Sequence, residues 1–239
     1  MSLTLQLRCR CAASADPANF TDRGTSWTGG GGIRVGYFGR LSDALSIGAF
    51  YQSKLWTGRF RKYAGLFAGQ GGFDAPASWG AGVALRVTPA LTLAGDVKRI
   101  EYSGVKSIAN PLAQLFQGIP FGATDGPGFG WRDITVYKVG VSYTASSQWV
   151  LRAGYGRSGN PVRRSQTFLN ILAPGVVQDH FTLGATWTAP SGLEVTGYAM
   201  RAPRNRVQGS GSIPASFGGG EADVYLAETS VGIGFGKHF

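Results

Sequence analysis

The chain carries two histidines, and one of them stands beside an acid: Asp179-His180 is the arrangement a general base and its orienting carboxylate would use. Such a pair works only if both side chains meet on one side of the backbone. The residues that follow, Phe181-Thr182-Leu183-Gly184-Ala185-Thr186-Trp187-Thr188, alternate apolar with polar or small, the pattern of an extended strand. Successive strand side chains point to opposite faces, so Asp179 and His180 are expected to diverge. His238, near the other end of a later segment, is remote from both. No GxSxG, HExxH, phosphate-loop or dinucleotide pattern occurs. The residues argue against an enzyme, and none is assigned a catalytic role. Cys9 and Cys11, if extended, place their Cα atoms about 6.7 Å apart, at the far limit for a disulfide. Two free thiols are the simpler expectation, and nothing in the spacing calls for a metal or a cofactor.

A second set of residues offers binding instead. Arg34, Arg86, Lys98, Lys138 and Arg152, with Asp96 and Glu194, fall on the polar side of alternating segments, together with Phe50, Tyr198 and Met200. A guanidinium fork matches a carboxylate headgroup, and ligand sites combine apolar walls with a few polar anchors. The same charges can also pair among themselves and simply fill an interior. The sequence leaves both readings open. The formal charge of +10 is scattered, with no basic run, so a nucleic-acid partner is not expected.

What must position these residues is a set of strands. Period-two alternation recurs in Ile33–Phe38, Leu45–Gln52, Trp79–Val87, Leu91–Lys98, Trp131–Tyr143, Trp149–Gly156, Phe181–Thr188, Leu193–Met200 and Val224–Phe239. A tenth strand fits at Leu3–Cys11. Short turns at Gly39–Ala44, Thr88–Ala90, Ala145–Gln148 and Ala189–Gly192 alternate strictly with long Gly/Pro-rich loops at Leu55–Ser78, Tyr102–Gly130, Arg157–His180 and Pro203–Glu221. A soluble sandwich has no reason to sort its loops by parity. A membrane barrel does, because one rim carries tight periplasmic turns and the other long extracellular loops.

Composition agrees. Charged residues are 15% and hydrophobic residues 43%, with 38 glycines, and no apolar stretch is long enough for a membrane helix. The remaining way across a bilayer is a closed barrel, whose backbone groups pair internally. The expected fold is therefore all-β: a transmembrane antiparallel up-and-down barrel over residues 25–239, preceded by an irregular segment, 1–24, that holds the extra strand 3–11. Met1–Ala15 lacks the unbroken apolar region of a signal peptide. Aromatics near strand ends (Trp56, Trp79, Trp131, Tyr143, Trp149, Trp187, Phe239) suit interfacial girdles. Phe239 ends an amphipathic strand in the manner of a signal for the outer-membrane assembly machinery. Basic loops would meet anionic lipid and lipopolysaccharide.

Four stretches carry a family resemblance: Phe73-Asp74-Ala75-Pro76-Ala77-Ser78-Trp79-Gly80, Leu91 through Ser103, Gly128-Phe129-Gly130-Trp131-Arg132-Asp133, and Trp149-Val150-Leu151-Arg152-Ala153-Gly154-Tyr155. In order and spacing they resemble the long-chain fatty acid transporters of Gram-negative outer membranes, a group that includes aromatic-hydrocarbon channels. The resemblance covers roughly Thr25 to Phe239. It implies a fourteen-stranded monomeric barrel plugged by an N-terminal hatch, through which a hydrophobic small molecule (a fatty acid or hydrocarbon) moves passively. This chain has nine or ten strands and no counterpart of the hatch. It fits either a fragment of the larger barrel or a smaller barrel closed by Leu3–Cys11. A porin for small polar solutes and a structural or adhesive barrel are the alternatives. Within the loop 107–130, apolar Leu112, Leu115, Phe116 and Phe121 suit capture of a hydrophobe on a short helix at the outer rim, since a barrel is expected to offer no core for them to join.

Overall fold

The computed structural model describes residues 13–237, so the expected strand Leu3–Cys11, both cysteines, His238 and Phe239 lie outside the described residues. The strands in chain order are β1 (Gly30–Gly31), β2 (Arg34–Arg40), β3 (Leu45–Gln52), β4 (Trp56–Thr57), β5 (Ala77–Thr88), β6 (Leu91–Glu101), β7 (Ile134–Thr144), β8 (Trp149–Ser158), β9 (Asp179–Thr188), β10 (Leu193–Val207) and β11 (Val224–Lys237). Nine of them form one antiparallel meander, in the order β11-β10-β9-β8-β7-β6-β5-β3-β2. These nine are the alternating segments of the sequence. The two-residue strands β1 and β4 pair separately as a small ribbon, which alternation did not foresee.

The turn chemistry explains why the short links are short. Ser42, Thr88 and Ser146 each accept, at their side-chain oxygen, the backbone N–H groups two and three residues ahead. This local bond closes the chain on itself and frees the strands to pair at once. The fourth turn relies instead on Gly192, whose φ of +80° suits glycine and whose N–H donates to the Ala189 carbonyl at 3.0 Å.

Register divides the sheet cleanly into two faces. Partners such as Phe50–Gly80, Gly80–Lys98, Asp96–Lys138 and Lys138–Gly156 carry one face from strand to strand. The other holds Tyr37, Val83, Leu93, Val139, Leu151, Leu183 and Val231. That second face is open: Leu183 is 67% exposed and Val231 75%. On the first face, Ser78, Ile134, Ala202, Val207 and Val224 are buried at the long-loop end, because the loops fold over it. The first face is therefore the inner one.

The loops form a cap with its own core. Val162 and Val176 from the loop between β8 and β9 pack with Val207 and Val224, and Trp131 and Leu226 lie against them. Polar staples join the loops. Asn170 donates to the carbonyls of Phe129 (2.7 Å) and Gln166 (2.8 Å) and accepts from the Trp131 indole N–H. Gln166 Oε1 accepts the Leu112 N–H at 2.9 Å. The sequence-based expectation that a barrel offers these loops no core is corrected here, and so is the girdle position of Trp131. Its ring is inside the cap, edge-on to Tyr102 at 5.0 Å.

Residues ahead of β1 run over the same cap. Ala15 N–H donates to Phe121 O at 2.9 Å, Phe121 N–H to Ala13 O at 2.8 Å, and Ser14 Oγ to Gly65 O at 2.8 Å. At the sheet's other dimension, β2 and β11 are its two edges. In a nine-strand meander both edges run in the same direction, so a direct seam between them would be parallel.

Candidate functional site

Every residue picked from the sequence as an interior ligand contact lies on the inner face. Register places Arg34, Phe50, Arg86, Asp96, Lys98, Lys138, Arg152, Glu194, Tyr198 and Met200 together there. Their mutual contacts are few. Lys138 Nζ approaches Asp96 at 3.9 Å, and both are about half exposed. Arg34 lies over the Phe50 ring at 5.1 Å. Arg152 donates to Thr186 Oγ1 at 2.6 Å, and that hydroxyl shares a 2.8 Å bond with Thr196. Among the described residues Lys138 is the one of these five cations that lies within 4.0 Å of a carboxylate.

Between these side chains the wall is stripped to backbone. Gly48 faces Gly82, and Gly140 faces Gly154, across neighbouring strands. The gaps let aromatic rings lie flat. A Cβ on Gly80 would sit 2.8 Å from the Phe50 ring, and one on Gly232 would sit 2.3 Å from the Tyr198 ring. Three shallow recesses result. One of about 440 Å³ lies between Phe38, Phe50, Gly82 and Asp96. A second of about 500 Å³ includes Gly140, Arg152, Thr182 and Tyr198. The third, about 520 Å³, combines apolar Ile134, Val136 and Met200 with Lys138 and His180.

The sequence offers His180 only as a candidate base, and the structure gives it a different setting. It pairs in register with Gly156 on the inner face. Asp179 is on the outer face, bonded by the Tyr155 hydroxyl and 3.5 Å from Arg157. The two neighbours diverge as alternation requires.

The four loop residues separate. Leu112 and Phe121 are buried at 5% and 8%, holding the cap together. Leu115 is half-buried, and Phe116, on the 3-10 turn Leu112–Gln117, is exposed. Phe116 meets the Phe217 ring at 6.1 Å, and Phe168 meets Phe217 at 5.9 Å. Ile171 and Leu172, both exposed, follow on the same loop as Phe168. Sequence reading missed Phe168 and Phe217 because they are single aromatics in separate loops with no periodicity.

Two ionisable groups of the cap are shifted. Burial raises the Tyr102 hydroxyl above the ordinary tyrosine value. The Asp223 carboxyl is held below the usual carboxylate range, first by the hydrogen bond from Arg206 and then by the Gly209 N–H, which donates at 2.8 Å.

An antiparallel meander with an apolar outer face, a polar and glycine-rich inner face and loops sorted to one end defines a bacterial outer-membrane β-barrel wall. More closely, the model of the family described as outer membrane protein transport protein (OMPP1/FadL/TodX) matches residues 21–202, and the chain belongs to that family. A Pseudomonas aeruginosa FadL homologue superposes with a TM-score of 0.59 at 17% identity, over 85% of this chain and 50% of that one. The TodX monoaromatic hydrocarbon channel, in a deltaS2 mutant form, gives 0.55 at 19% identity, over 88% and 50%. These likenesses show the fold. The chain spans about half the length of these solved structures. No curated protein sequence matches it significantly.

Proposed function

We propose that this chain supplies wall and cap to an outer-membrane channel for passive uptake of hydrophobic small molecules, with long-chain fatty acids or hydrocarbons as cargo. The observation that carries this reading is the third recess, where Ile134, Val136 and Met200 adjoin Lys138 and His180 on a glycine floor. Apolar walls with one polar end suit transient binding of an amphiphile or a greasy solute. Family membership supports the reading, and so does the likeness in fold to TodX, a monoaromatic hydrocarbon channel. Capture from outside is assigned to the exposed aromatics Phe116 and Phe217, backed by the half-buried Phe168, while Leu112 and Phe121 hold the cap. Movement then follows the concentration gradient from cap to inner face.

The test is uptake of labelled oleate and labelled toluene by cells with and without the gene. A fall in either supports the reading and identifies the cargo class. Unchanged uptake of both, with ion conductance in planar bilayers, would replace it by a porin for polar solutes.

A further inference from the structure

The outer face is uncharged through its middle, and three of its strands place an arginine at the cap rim. In β6 the outward residues Leu91, Leu93, Gly95 and Val97 precede Arg99; in β8, Trp149, Leu151, Ala153 and Tyr155 precede Arg157; in β10, Leu193, Val195, Gly197 and Ala199 precede Arg201. Each first outward charge is thus an arginine at the cap end. Arg99 and Arg157 are answered by carboxylates, Asp133 at 3.4 Å and Asp179 at 3.5 Å.

The cap end of β10 is different. Between Ala202 and Asn205 the register slips, so Pro203 and Arg204 together oppose Ala227. A bulge of this kind re-aims every side chain beyond it. Asn205 now turns inward to the Val176 carbonyl at 2.7 Å, and Val207 enters the cap core. Arg204 lies over the outward Tyr225 ring at 3.9 Å, and Arg206 pairs with Asp223. Without the slip, alternation from Arg201 would send Arg204 and Arg206 inward. With it, Arg201, Arg204 and Arg206 share the outer rim. Arg164, from the loop between β8 and β9, joins them through Gln208 O at 3.2 Å and adds its charge at Asp223. All four arginines are exposed. Arg206 and Arg164 act on one carboxylate, Asp223, whereas Arg201 donates to the Thr229 hydroxyl at 2.6 Å and Arg204 lies on Tyr225; Glu221 is turned to the Gly211 N–H at 3.4 Å.

We propose that this arginine cluster docks the phosphates of lipopolysaccharide in the outer leaflet. The charge excess requires an anion, and a guanidinium fork matches phosphate oxygens better than an ammonium does. Tyr225 holds Arg204 in place by a cation–π contact on the outer face. A lipid phosphate fits better than a free ion because the apolar outer wall begins directly beneath the cluster. Val231 and Ile233 of β11 stand 75% and 68% exposed there, ready to meet acyl chains. The docking is independent of what passes through the interior.

The experiment measures binding of fluorescent lipopolysaccharide to the full-length protein in neutral detergent micelles. Wild type is compared with Arg204→Gln, with Arg201→Gln/Arg204→Gln, and with Arg204→Lys. Arg23→Gln, far along the chain, is the control, and circular dichroism checks that each variant is folded. Binding is expected to weaken about fivefold for each arginine removed and to fall with salt. Arg204→Lys should recover only part of it. Dephosphorylated lipopolysaccharide should bind wild type no better than the double variant does. The proposal is overturned if removing the phosphates leaves wild-type affinity unchanged, or if the double variant binds like wild type. It is equally overturned if micromolar inorganic phosphate displaces the lipid, which would make the cluster a free-anion site. The dephosphorylation arm needs no variant, so a misfolded mutant does not blunt the test.

Discussion

The cap and the wall of this protein are held together by different physics. In the cap, four loops without periodicity bury Val162, Val176, Val207 and Val224 and lock Asn170, Gln166 and Thr167 beneath them, as a small soluble domain would. In the wall, large side chains such as Leu183 and Val231 stay exposed, and order comes from the hydrogen-bond ladder of nine strands. The cap adds side-chain staples to scattered backbone bonds between loops; the wall relies on the regular backbone ladder. The wall's apolar surface is stabilised only when lipid replaces water around it. A substitution should therefore be read by region before it is read by residue type.

The sharpest way to break this contrast is a charge on the outer wall. Leu183 stands between Ala153 and Ala199 in mid-band. Leu183→Arg is expected to cost about 2–4 kcal/mol in a bilayer. Thr182→Arg, one residue away on the inner face, should stay within about 0.5 kcal/mol. Urea titration of protein refolded into lipid vesicles measures both. Equal losses would mean the two faces are not sorted as described.

The second prediction turns to the cap. Asn170→Ala removes the acceptor of the Trp131 indole and the donor to two carbonyls, at a fully buried site. An abandoned buried polar group costs about 1–3 kcal/mol. The loss should be confined to the cap: trypsin should cut after Arg163 and Arg164, while the strands remain protected. If wall and cap unfold together in Asn170→Ala, they form one cooperative unit and the comparison fails.

The same division governs what the sequence could reveal. In the wall the side-chain period is two, so alternation locates all nine long strands, and counting along them puts Arg34, Phe50, Lys98 and Arg152 on one face. Parity of the links told the two ends apart. The reading ended β10 at Met200, because Pro203 reads as a loop; the proline instead marks a bulge, and the strand continues to Val207. That slip reverses the faces of Asn205 and Arg206, which no count from Met200 would give. In the cap there is no period to follow. Gln166 and Asn170 look like ordinary loop polars, and their burial depends on Trp131 and Leu112, distant in sequence. The composition of a Gly/Pro-rich loop does not record whether its carbonyls will meet an amide from another loop. The family resemblance was legible from four stretches, whereas the recess at His180 required the register of four strands.

The smallest expected effect is a local one at the junction of the two regions. Asp223 precedes β11 and ties the loop back to Arg206 and to the Gly209 amide. Its folded pKa is lowered below the ordinary 3.8, so the carboxylate contributes stability above that value. The contribution is lost as pH falls through the lower folded value, when the carboxyl takes up a proton and ceases to be an ion partner. Hydrogen exchange at the Gly209 amide, corrected for its intrinsic pH dependence, should show protection that declines only below the ordinary carboxylate pKa. Asp223→Asn should remove most of that pH dependence while leaving wall amides such as Val139 unchanged. Protection at Gly209 that persists unchanged at the lowest pH would assign the amide's order to the Ser212 and Ala222 contacts nearby rather than to the carboxylate. A decline that reached the wall amides as well would show that the junction transmits the loss of a cap charge into the ladder, which is the one coupling the two-region description forbids.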